Sequence, residues 1–342
     1  MLHVGMDMHK RFSVVTVIDD EGKEVVVGQK LENQEADLLA FFKGLDEEVR
    51  VVLEAGPNLM WMCDLLDDCG IDNLLCHPSK TKAITAARIK TGKLDSKILS
   101  HLLRADFIPE AYKPDAGTKA TRELLRYRAF LMRERTRTKN AIHALLTRGN
   151  IPNPYSDLFG KAGLSYLEGL RLLAVRRAAL DGYLSLLSRL GEEIAAAEQR
   201  VRGKFKNSPQ ARLLSTIPGV GPLLSLTILS EIGEISRFGA ARQLSSYAGL
   251  VPSTSQSGGV TRHGRITRQG SRWLRWALVE AAIHAASRPG PLRDFHLKLK
   301  KSKGNEVARV AVARKLSTYA FHMLKQEKSF DEIISGKNGD LG

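Results

Sequence analysis

Three acidic residues in the first hundred positions have the types and the spacing of a metal site. Asp7 ends a strand-like run with the pattern hydrophobic, Gly, hydrophobic; Glu54 follows a second apolar run, and Asp95 begins a segment with a helical pattern. Carboxylates that meet at one edge of a domain hold hard divalent cations, which polarise a phosphoryl oxygen and align an oxygen nucleophile. The same spacing fits two strand ends and a helix N-cap. The residues alone leave both interpretations open.

A serine far along the chain offers a second kind of chemistry. Ser257 lies in a polar segment, residues 252–259, that predicts a loop with glycines beside the serine. The arginines that follow are Arg262, Arg265, Arg268, Arg272 and Arg275. Glycine gives backbone freedom and guanidinium groups neutralise phosphate oxygens, which are the needs of a phosphoryl-transfer nucleophile. Serine-rich loops are common, so the local sequence makes Ser257 only a weak candidate.

The N-terminal residues predict elements that would bring two of the acids together. The pattern gives the order β-β-β-α-β-α-β-α, typical of a ribonuclease-H-like α/β domain. The strands are predicted at 2–7, 13–18, 24–30, 49–54 and 72–76, and the helices at 34–44, 58–69, 79–89 and 95–106. In such a sheet the first and fourth strands are neighbours, so Asp7 and Glu54 should lie side by side.

A long helix is predicted over 118–149, and a second over 170–202. At about 100° per residue, four arginines of the first helix fall within about 60° of one another, with apolar side chains on the opposite side. The arginines are Arg122, Arg126, Arg133 and Arg137, and the apolar residues are Leu124, Leu131, Ile142 and Leu145. The two helices predict an antiparallel arm, a dimerising coiled coil or a plain helical linker, with the arginine face a candidate surface for nucleic acid.

The C-terminal part is predicted to be mainly helical. Residues 213–229 predict a helix, a tight turn and an apolar helix, and Gly219 and Gly221 lie in the turn. In a helix-hairpin-helix element such glycines let backbone N–H groups approach a DNA phosphate, although a plain corner between helices needs the same residues. Further helices are predicted near 271–287 and 305–325. We expect four parts: an acid-bearing domain 1–115, a helical arm 116–205, a serine-bearing domain 206–330 and a flexible tail 331–342.

Composition favours a globular protein that binds a polyanion. The 342 residues are 43% hydrophobic, and 52 Lys and Arg exceed 37 Asp and Glu, which gives a net charge of +15. The cations cluster in 119–150 and 258–315, and this clustering favours nucleic acid over a generic solvated surface. Cys63, Cys69 and Cys76 form no disulfide framework or CxxC pair, so we expect reduced core residues. No segment predicts a membrane helix or an export signal, so we expect a cytoplasmic protein without a membrane partner.

An ordered set of motifs spans nearly the whole chain. It comprises Met6-Asp7-Met-His-Lys10, Leu53-Glu-Ala-Gly56, Lys90-Thr-Gly-Lys-Leu-Asp95, Leu102-Leu-Arg-Ala-Asp106, Ile217-Pro-Gly-Val-Gly221, Tyr247-Ala-Gly-Leu-Val-Pro252 and Gln256-Ser-Gly258. The set resembles the DEDD-type insertion-sequence transposases, the insertion-sequence one-ten family, related to the Piv DNA invertases. The resemblance implies a RuvC-like N-terminal domain, a helical arm and a C-terminal transposase domain with an active serine. It also implies a recombinase that moves its element by DNA strand exchange, guided by a structured bridge RNA.

By position in these motifs, Ser257 falls on the family's serine nucleophile, and Asp7, Glu54 and Asp95 fall on its acidic tetrad, which implies Mg²⁺ or Mn²⁺. A serine hydroxyl is a poor nucleophile at neutral pH and needs a base or a metal-linked carboxylate. We therefore expect the acids and Ser257 to meet in one composite pocket, from one protomer or two. A phosphoserine link would conserve the energy of the phosphodiester, so religation needs no ATP. The expected partners are double-stranded DNA, a bridge RNA and further copies of the chain in a dimer or tetramer.

One tetrad position departs from the family pattern. The family usually has two acids three residues apart at the start of the last helix, and the first of these positions is Gly92 here. Acids at i and i+3 share a helix face, so the glycine removes one ligand or charge. Asp106 lies eleven residues beyond Asp95, about 16 Å along a helix, and cannot substitute. We expect weakened or rearranged metal binding.

Two other classes of function stay open at the level of the sequence. A metal-dependent, structure-selective nuclease of the RuvC type would use only the acids, with the serine segment merely binding DNA. A catalytically weakened protein would bind DNA or RNA without cutting it, an interpretation that Gly92 favours.

Overall fold

The computed structural model describes residues 1–335 except 55, 57, 78, 79, 82, 83, 85–91, 258 and 259, and for 255, 257, 260, 261 and 263 it describes the backbone without the side chain. The chain divides into two compact units, Met1–Pro114 and Asp115–Gly342. Each unit has hydrophobic cores of its own.

A six-stranded mixed sheet forms the centre of the first unit. The strands are β1 (Leu2–Met8), β2 (Phe12–Ile18), β3 (Glu24–Glu32), β4 (Val49–Leu53), β5 (Asp72–Cys76) and β6 (Glu110–Ala111), and the helices are α1 (Glu35–Lys43), α2 (Leu59–Asp68) and α3 (Gly92–Arg104). The strand order is β3-β2-β1-β4-β5-β6, with β4 parallel to β1, β5 parallel to β4, and β2 antiparallel to β1. This mixed α/β architecture agrees with the ribonuclease-H-like fold predicted for the N-terminal part.

Helix α3 lies directly on strand β1 because the contact point carries no side chain. A Cβ built on Gly5 would collide with the carbonyl oxygen of Ser96 and the amide nitrogen of Ser100, so only glycine fits there. Beside this contact the hydroxyl groups of Thr16 and Ser96 are hydrogen-bonded at 2.8 Å. Alternate residues of a strand face the same side of its sheet. Asp7 therefore faces the side of the sheet that α3 covers.

The three cysteines are free thiols with different exposure. Cys63 and Cys76 are buried, as predicted, but the prediction of a core position for Cys69 is wrong, because it is exposed. Cys69 follows the last residue of α2, where the chain turns toward solvent before β5. The helix predicted at 79–89 falls mostly outside the described residues.

The second unit is built from helices. They are α4 (Ala116–Arg148), α5 (Lys161–Gly169), α6 (Ala174–Lys206), α7 (Pro209–Leu214), α8 (Pro222–Ile232), α9 (Ala241–Tyr247), α10 (Arg272–Ser287), α11 (Pro291–Lys303), α12 (Asn305–Gln326) and α13 (Phe330–Ser335). Leu125 of α4 shares a core cluster with Val201 of α6, whereas Ile142 shares one with Leu180. The two long helices therefore run antiparallel within one chain, and a dimerising coiled coil stays a prediction. In the described part of the chain, no helix is both long and apolar enough to cross a membrane.

Most of the polar segment predicted as a loop is a β-strand. Strand β7 (Pro252–Ser257) pairs antiparallel with β8 (Val260–Ile266). The loop prediction is wrong for 252–257 because backbone hydrogen bonds hold the segment extended, and polar side chains do not prevent them. The tail predicted at 331–342 is likewise helical as far as Ser335.

Candidate functional site

Asp7 and Glu54 lie at the same edge of the sheet in the first unit. Met6 of β1 is in register with Leu53 of β4, and the Glu54 N–H donates to the Met6 carbonyl at 3.0 Å. Each acid therefore comes directly after a paired residue, at the carboxyl ends of two parallel strands. The prediction that the first and fourth strands are neighbours is confirmed.

Position 92 adjoins the carboxylate of Asp7. A Cβ built on Gly92 would lie 2.8 Å from Oδ2 of Asp7 and 3.0 Å from Cγ2 of Val14. The same Asp7 oxygen lies 3.2 Å from Nε2 of His9, and the Asp7 side chain is 15% exposed. An acid at position 92 would thus set a second negative charge against Asp7, which a divalent cation would neutralise. Glycine supplies no such carboxylate.

The three acids predicted as ligands are not gathered into one group. Asp95 is half-buried and lies one turn beyond Gly92 on α3. Within the described residues, no three His, Cys, Asp or Glu side chains are close enough together to hold a metal ion. Carboxylate oxygens are the donors that Mg²⁺ and Mn²⁺ prefer. The residue types at Asp7 and Glu54 therefore fit such a cation, whereas the position of the third ligand does not complete the set.

Two other side chains, those of Asp106 and Cys76, do not complete the acid site either. The Asp106 carboxylate lies 3.6 Å from Nη1 of Arg50, near the start of β4 and therefore at the opposite end of that strand from Glu54. Burial raises the pKa of the Cys76 thiol to about 11, while a hydrogen bond with Thr81 lowers it and the Glu54 carboxylate raises it further. Cys76 is therefore protonated near neutral pH, whereas a metal-bound cysteine is a thiolate.

The β7–β8 hairpin presents Ser257 at its apex. Ser257 is the last residue of β7 and pairs with Val260, the first residue of β8. Three backbone hydrogen bonds close the base of the hairpin: Thr267 N–H to the Val251 carbonyl (2.9 Å), Arg268 N–H to Gly249 (3.2 Å) and Ser271 N–H to Tyr247 (3.0 Å). The motif around 247–251 thus forms one side of the base.

Two glycines make this base possible. Gly249 and Gly270 have φ of +67° and +88°, in the region that favours glycine. A Cβ on Gly249 would collide with the carbonyl oxygen of Gln269, and a Cβ on Gly270 would collide with that of Tyr247. The two segments therefore cross too closely for any other residue at either position.

The arginines after Ser257 differ in their surroundings. Arg262 and Arg265 are exposed on β8, and Arg268 and Arg272 are exposed at the base of the hairpin. Arg275 is half-buried and donates from Nη1 to the Ala248 carbonyl at 3.0 Å. The sequence shows the cluster of cations but gives no sign of this contact.

Two of the four arginines predicted for the nucleic-acid face of α4 contact helix α8. Arg122 is 14% exposed; its Nε donates to the Ser230 carbonyl at 2.9 Å and its Nη2 to the Glu231 carbonyl at 3.3 Å. Arg126 donates to the Glu231 carboxylate at 3.1 Å. These contacts satisfy carbonyl groups near the end of α8, which has no further helical turn to use them. Arg122 therefore has a structural role, and its contact with nucleic acid stays a prediction.

The other two arginines of that face are exposed, as Arg126 is. Arg133 is exposed, and Arg137 is exposed with its Nη1 2.7 Å from Glu134 of the preceding turn. Exposed pairs of this kind contribute little to stability. Arg133 and Arg137 stay candidates for contact with nucleic acid.

Glu231 is a polar junction that the sequence analysis did not single out. Its side chain is 7% exposed and lies between two elements: Oε1 accepts from Arg126 and Oε2 accepts from the hydroxyl of Ser271 at 2.8 Å. The Ser271 hydroxyl in turn accepts from the Leu274 N–H and caps α10. The signal in the sequence was an acid inside the otherwise apolar run of α8, because a buried carboxylate needs partners.

The two glycines of the predicted helix-hairpin-helix turn differ. Gly219 has φ +87°, and a Cβ there would lie 2.5 Å from Cβ of His284, so close packing on α10 explains this glycine without DNA. Gly221 precedes α8, is exposed and has open space around its Cα. A phosphate contact at Gly219 or Gly221 stays a prediction, and of the two Gly221 has the open space for it.

Two family models match the chain. Residues 4–151, which include the three acids, match a transposase model, and residues 211–297, which include the hairpin, match the model of the transposase IS116/IS110/IS902 family. Together the two matches cover more than half of the 342 residues.

Similar proteins come from several bacteria. The uncharacterized 44.8 kDa protein of insertion element IS116 from Streptomyces clavuligerus is 26% identical over 96% of this chain and 95% of its own length. The transposase for insertion sequence element IS1111A of Coxiella burnetii is 24% identical over 96% of this chain and 90% of its own. The pilin gene-inverting protein of Moraxella bovis is 34% identical over 36% of this chain and 40% of its own. The chain belongs to the IS116/IS110/IS902 family of transposases, enzymes that act on DNA.

Proposed function

We propose that the chain is the site-specific recombinase of an insertion sequence and that it exchanges DNA strands through a phosphoserine intermediate at Ser257. The observation that carries this proposal is the β7–β8 hairpin, which has Ser257 at its apex and arginines along β8 and at its base. The hairpin lies within the region, 211–297, that matches the transposase family. Arginine guanidinium groups neutralise the charge that develops on a phosphate during displacement.

The proposed reaction conserves phosphodiester bonds. The Ser257 oxygen bonds to phosphorus as one bridging P–O bond of the DNA breaks; the serine proton passes to a base, and the released strand end takes up a proton as a hydroxyl. Attack by the hydroxyl of another strand end then breaks the serine–phosphorus bond and restores the serine. No nucleoside triphosphate is consumed. This agrees with the sequence, which has no GxxxxGK[ST] loop of the kind that binds the phosphates of such a molecule.

We assign Asp7 and Glu54 as ligands of Mg²⁺ or Mn²⁺, with Asp95 as the third acid. Their positions at the carboxyl ends of adjacent parallel strands support this assignment for the first two. A cation bound there would polarise a phosphoryl oxygen of the substrate. Oδ2 of Asp7 lies 3.2 Å from Nε2 of His9, and a cation bound at Asp7 would have to replace that contact.

A second candidate function is a nucleic-acid-binding protein with weakened catalysis, and the contact between Gly92 and Asp7 favours it. Gly92→Asp should raise recombination, because it adds a carboxylate beside Asp7. Gly92→Ala is the matched control, since it adds the same Cβ without the charge. No gain from Gly92→Asp, with a fully active parent, would mean that the fourth acid is dispensable.

The nucleic-acid partners in this proposal are double-stranded DNA at the element's ends and target, and a bridge RNA, bound by a dimer or tetramer. The clustering of cations in 119–150 and 258–315 supports polyanion binding in general. RNA that copurifies with the protein should match the DNA flanking its gene when sequenced. Purification without such RNA, in a preparation that still recombines DNA, would contradict the bridge RNA.

Replacement of Ser257 tests the recombinase against its alternatives. Ser257→Ala should abolish a denaturant-resistant protein–DNA adduct on plasmid DNA that carries the gene with its native flanking sequence. Ser255→Ala, on the same strand, is the matched control and should keep the adduct. Unchanged cleavage without any adduct would favour a RuvC-like nuclease that uses only the acids. A parent that binds but never cuts would favour the weakened protein.

A further inference from the structure

Three arginines meet at the base of the β7–β8 hairpin. Arg272 and Arg275 are three residues apart on α10 and so lie on neighbouring parts of its surface. A Cβ built on Gly249 would lie 2.6 Å from Nη1 of Arg275 and 2.9 Å from the carbonyl carbon of Arg268. The crossing of the two segments at Gly249 therefore brings the backbone of Arg268 close to the guanidinium group of Arg275.

The positive charges of Arg268, Arg272 and Arg275 lie close enough to affect one another. Burial, and then the positive charges of Arg268 and Arg272, lower the pKa of Arg275 from its ordinary value. Within the described residues, no carboxylate forms an ion pair with any of the three, and Glu231, which reaches the start of α10, already accepts from Arg126 and Ser271. Like charges held together repel, and an anion bound between them removes the repulsion.

The fold fixes this cluster in place. Arg275 is held by its hydrogen bond to the Ala248 carbonyl. Arg268 has φ +54°, an uncommon conformation for a residue with a side chain, and its N–H bonds to the Gly249 carbonyl. Such conformations persist where the surrounding structure determines them, often at ligand sites. The adjacent Thr267 Oγ1 is buried and has no hydrogen-bond partner among the described residues, although buried hydroxyl groups normally have one.

We infer that Arg268, Arg272 and Arg275 form a binding site for a backbone phosphate of double-stranded DNA. The inference rests on the proposed function, because the same hairpin carries Ser257 at its apex. Strand β7 has six residues and spans about 17–20 Å, which is less than one turn of B-form DNA, about 34 Å. Apex and base can therefore contact one duplex. Guanidinium groups bind phosphate oxygens without reading sequence, so the site positions the duplex along the hairpin.

The salt dependence of DNA binding tests this site. All proteins carry Ser257→Ala, so that a duplex of fixed length is bound and not cut, and binding is measured as salt is raised. Each lost phosphate contact should reduce the slope of log K against log salt concentration by about 0.9. Arg268→Gln and Arg272→Gln should each show this reduction, and Arg272→Lys should restore the slope. Arg189→Gln, which removes an exposed arginine of α6 outside both cation clusters, is the matched control and should leave the slope unchanged.

Three results would overturn the inference while the proposed function stands. The first is an unchanged slope in both cluster variants, and the second is an equal reduction in Arg189→Gln. The third is a reduction of equal or greater size on an RNA duplex of the same length, which would assign the site to RNA. A parent without salt-dependent binding to duplex DNA would instead contradict the proposed function itself. The Ser257 adduct tests that function independently of this site.

Discussion

The arginines of helix α4 and those at the base of the β7–β8 hairpin carry the same charge but have different neighbours. Arg122 and Arg126 donate to carbonyl groups of α8 and to the buried carboxylate of Glu231. Arg268 and Arg272 are exposed, and in the described part of the chain neither is ion-paired to a carboxylate. The first pair holds helices together, whereas the second leaves its charge for a ligand. A cluster of cations is a better candidate surface for nucleic acid where the fold leaves the cations exposed and unpaired.

The largest loss of stability is expected on replacing Glu231, the carboxylate that lies beside Arg122 and Arg126 of α4. Glu231→Ala should lower the free energy of unfolding by about 3 kcal/mol, because it leaves the guanidinium group of Arg122 in a mostly buried site without its carboxylate and removes the acceptor of Ser271. Denaturant unfolding measures this loss. Glu198→Ala breaks the more exposed ion pair with Arg128 on α4 and should lose under about 1 kcal/mol. Equal losses would mean that the junction at Glu231 contributes no more than a surface pair.

Arg122→Gln should separate structure from DNA binding. It removes hydrogen bonds from a charged donor to two carbonyl groups and should cost about 2 kcal/mol of unfolding free energy. The salt dependence of DNA binding should stay as in the parent. Arg133→Gln, at an exposed position of the same helix, is the control for stability. A stable Arg122→Gln variant with a shallower salt dependence would return Arg122 to the DNA-binding surface.

Asp115, at the start of α4, should contribute less to stability than Glu231 or Arg122, and its contribution should depend on pH. Asp115 caps this helix, and the Thr118 hydroxyl, followed by the Thr118 amide, lowers the pKa of Asp115. Asp115→Ala should therefore cost about 1 kcal/mol at neutral pH. Because the folded pKa lies below the unfolded one, this stabilisation is present above about pH 4 and is lost as the pH falls through the folded pKa.

Unfolding of the parent and of Asp115→Ala at neutral and acid pH checks this expectation. The difference between the two proteins should shrink in acid, while Asp115→Asn, which can still accept the cap hydrogen bond, should vary less with pH. A difference that stays constant with pH would mean that the charge of Asp115 does not support the helix.

The smallest effect on stability is expected at the base of the hairpin. Arg268→Gln and Arg272→Gln should change the free energy of unfolding by less than about 0.5 kcal/mol, because both side chains are exposed and neither is paired with an acid among the described residues. Thermal or denaturant unfolding measures the change. A loss as large as that of Arg122→Gln would show that the two groups of arginines have the same structural role.

The sheet edge that carries Asp7 and Glu54 was predictable because the sequence patterns that indicate it are local. Strands β1 and β4 combine apolar runs with burial, and the acids Asp7 and Glu54 mark the points where those runs end. The close approach of Gly92 to Asp7 was not predictable in the same way, because it depends on how α3 crosses the sheet. The resemblance identified the position, and the crossing explains why an acid there would face Asp7.

The serine hairpin was not predictable from residue types. Strand β7 has no apolar alternation, and its base depends on a contact between segments about twenty residues apart that only Gly249 and Gly270 allow. The partners of Arg122 were hidden for the same reason, since Ser230 and Glu231 lie more than a hundred residues away in the chain. The short helices α5, α9 and α11 were also missed, because a few turns leave too little periodicity.

The central claim is that Ser257 bonds covalently to DNA, and mass spectrometry of the trapped adduct tests it most directly. After nuclease and trypsin digestion, the peptide over 243–262, which contains five serines, should carry a nucleotide remnant. The account predicts that fragmentation places the remnant on Ser257 and that Ser257→Ala removes it. A remnant on another serine of the peptide, or cleaved and rejoined DNA without any modified peptide, would contradict the account.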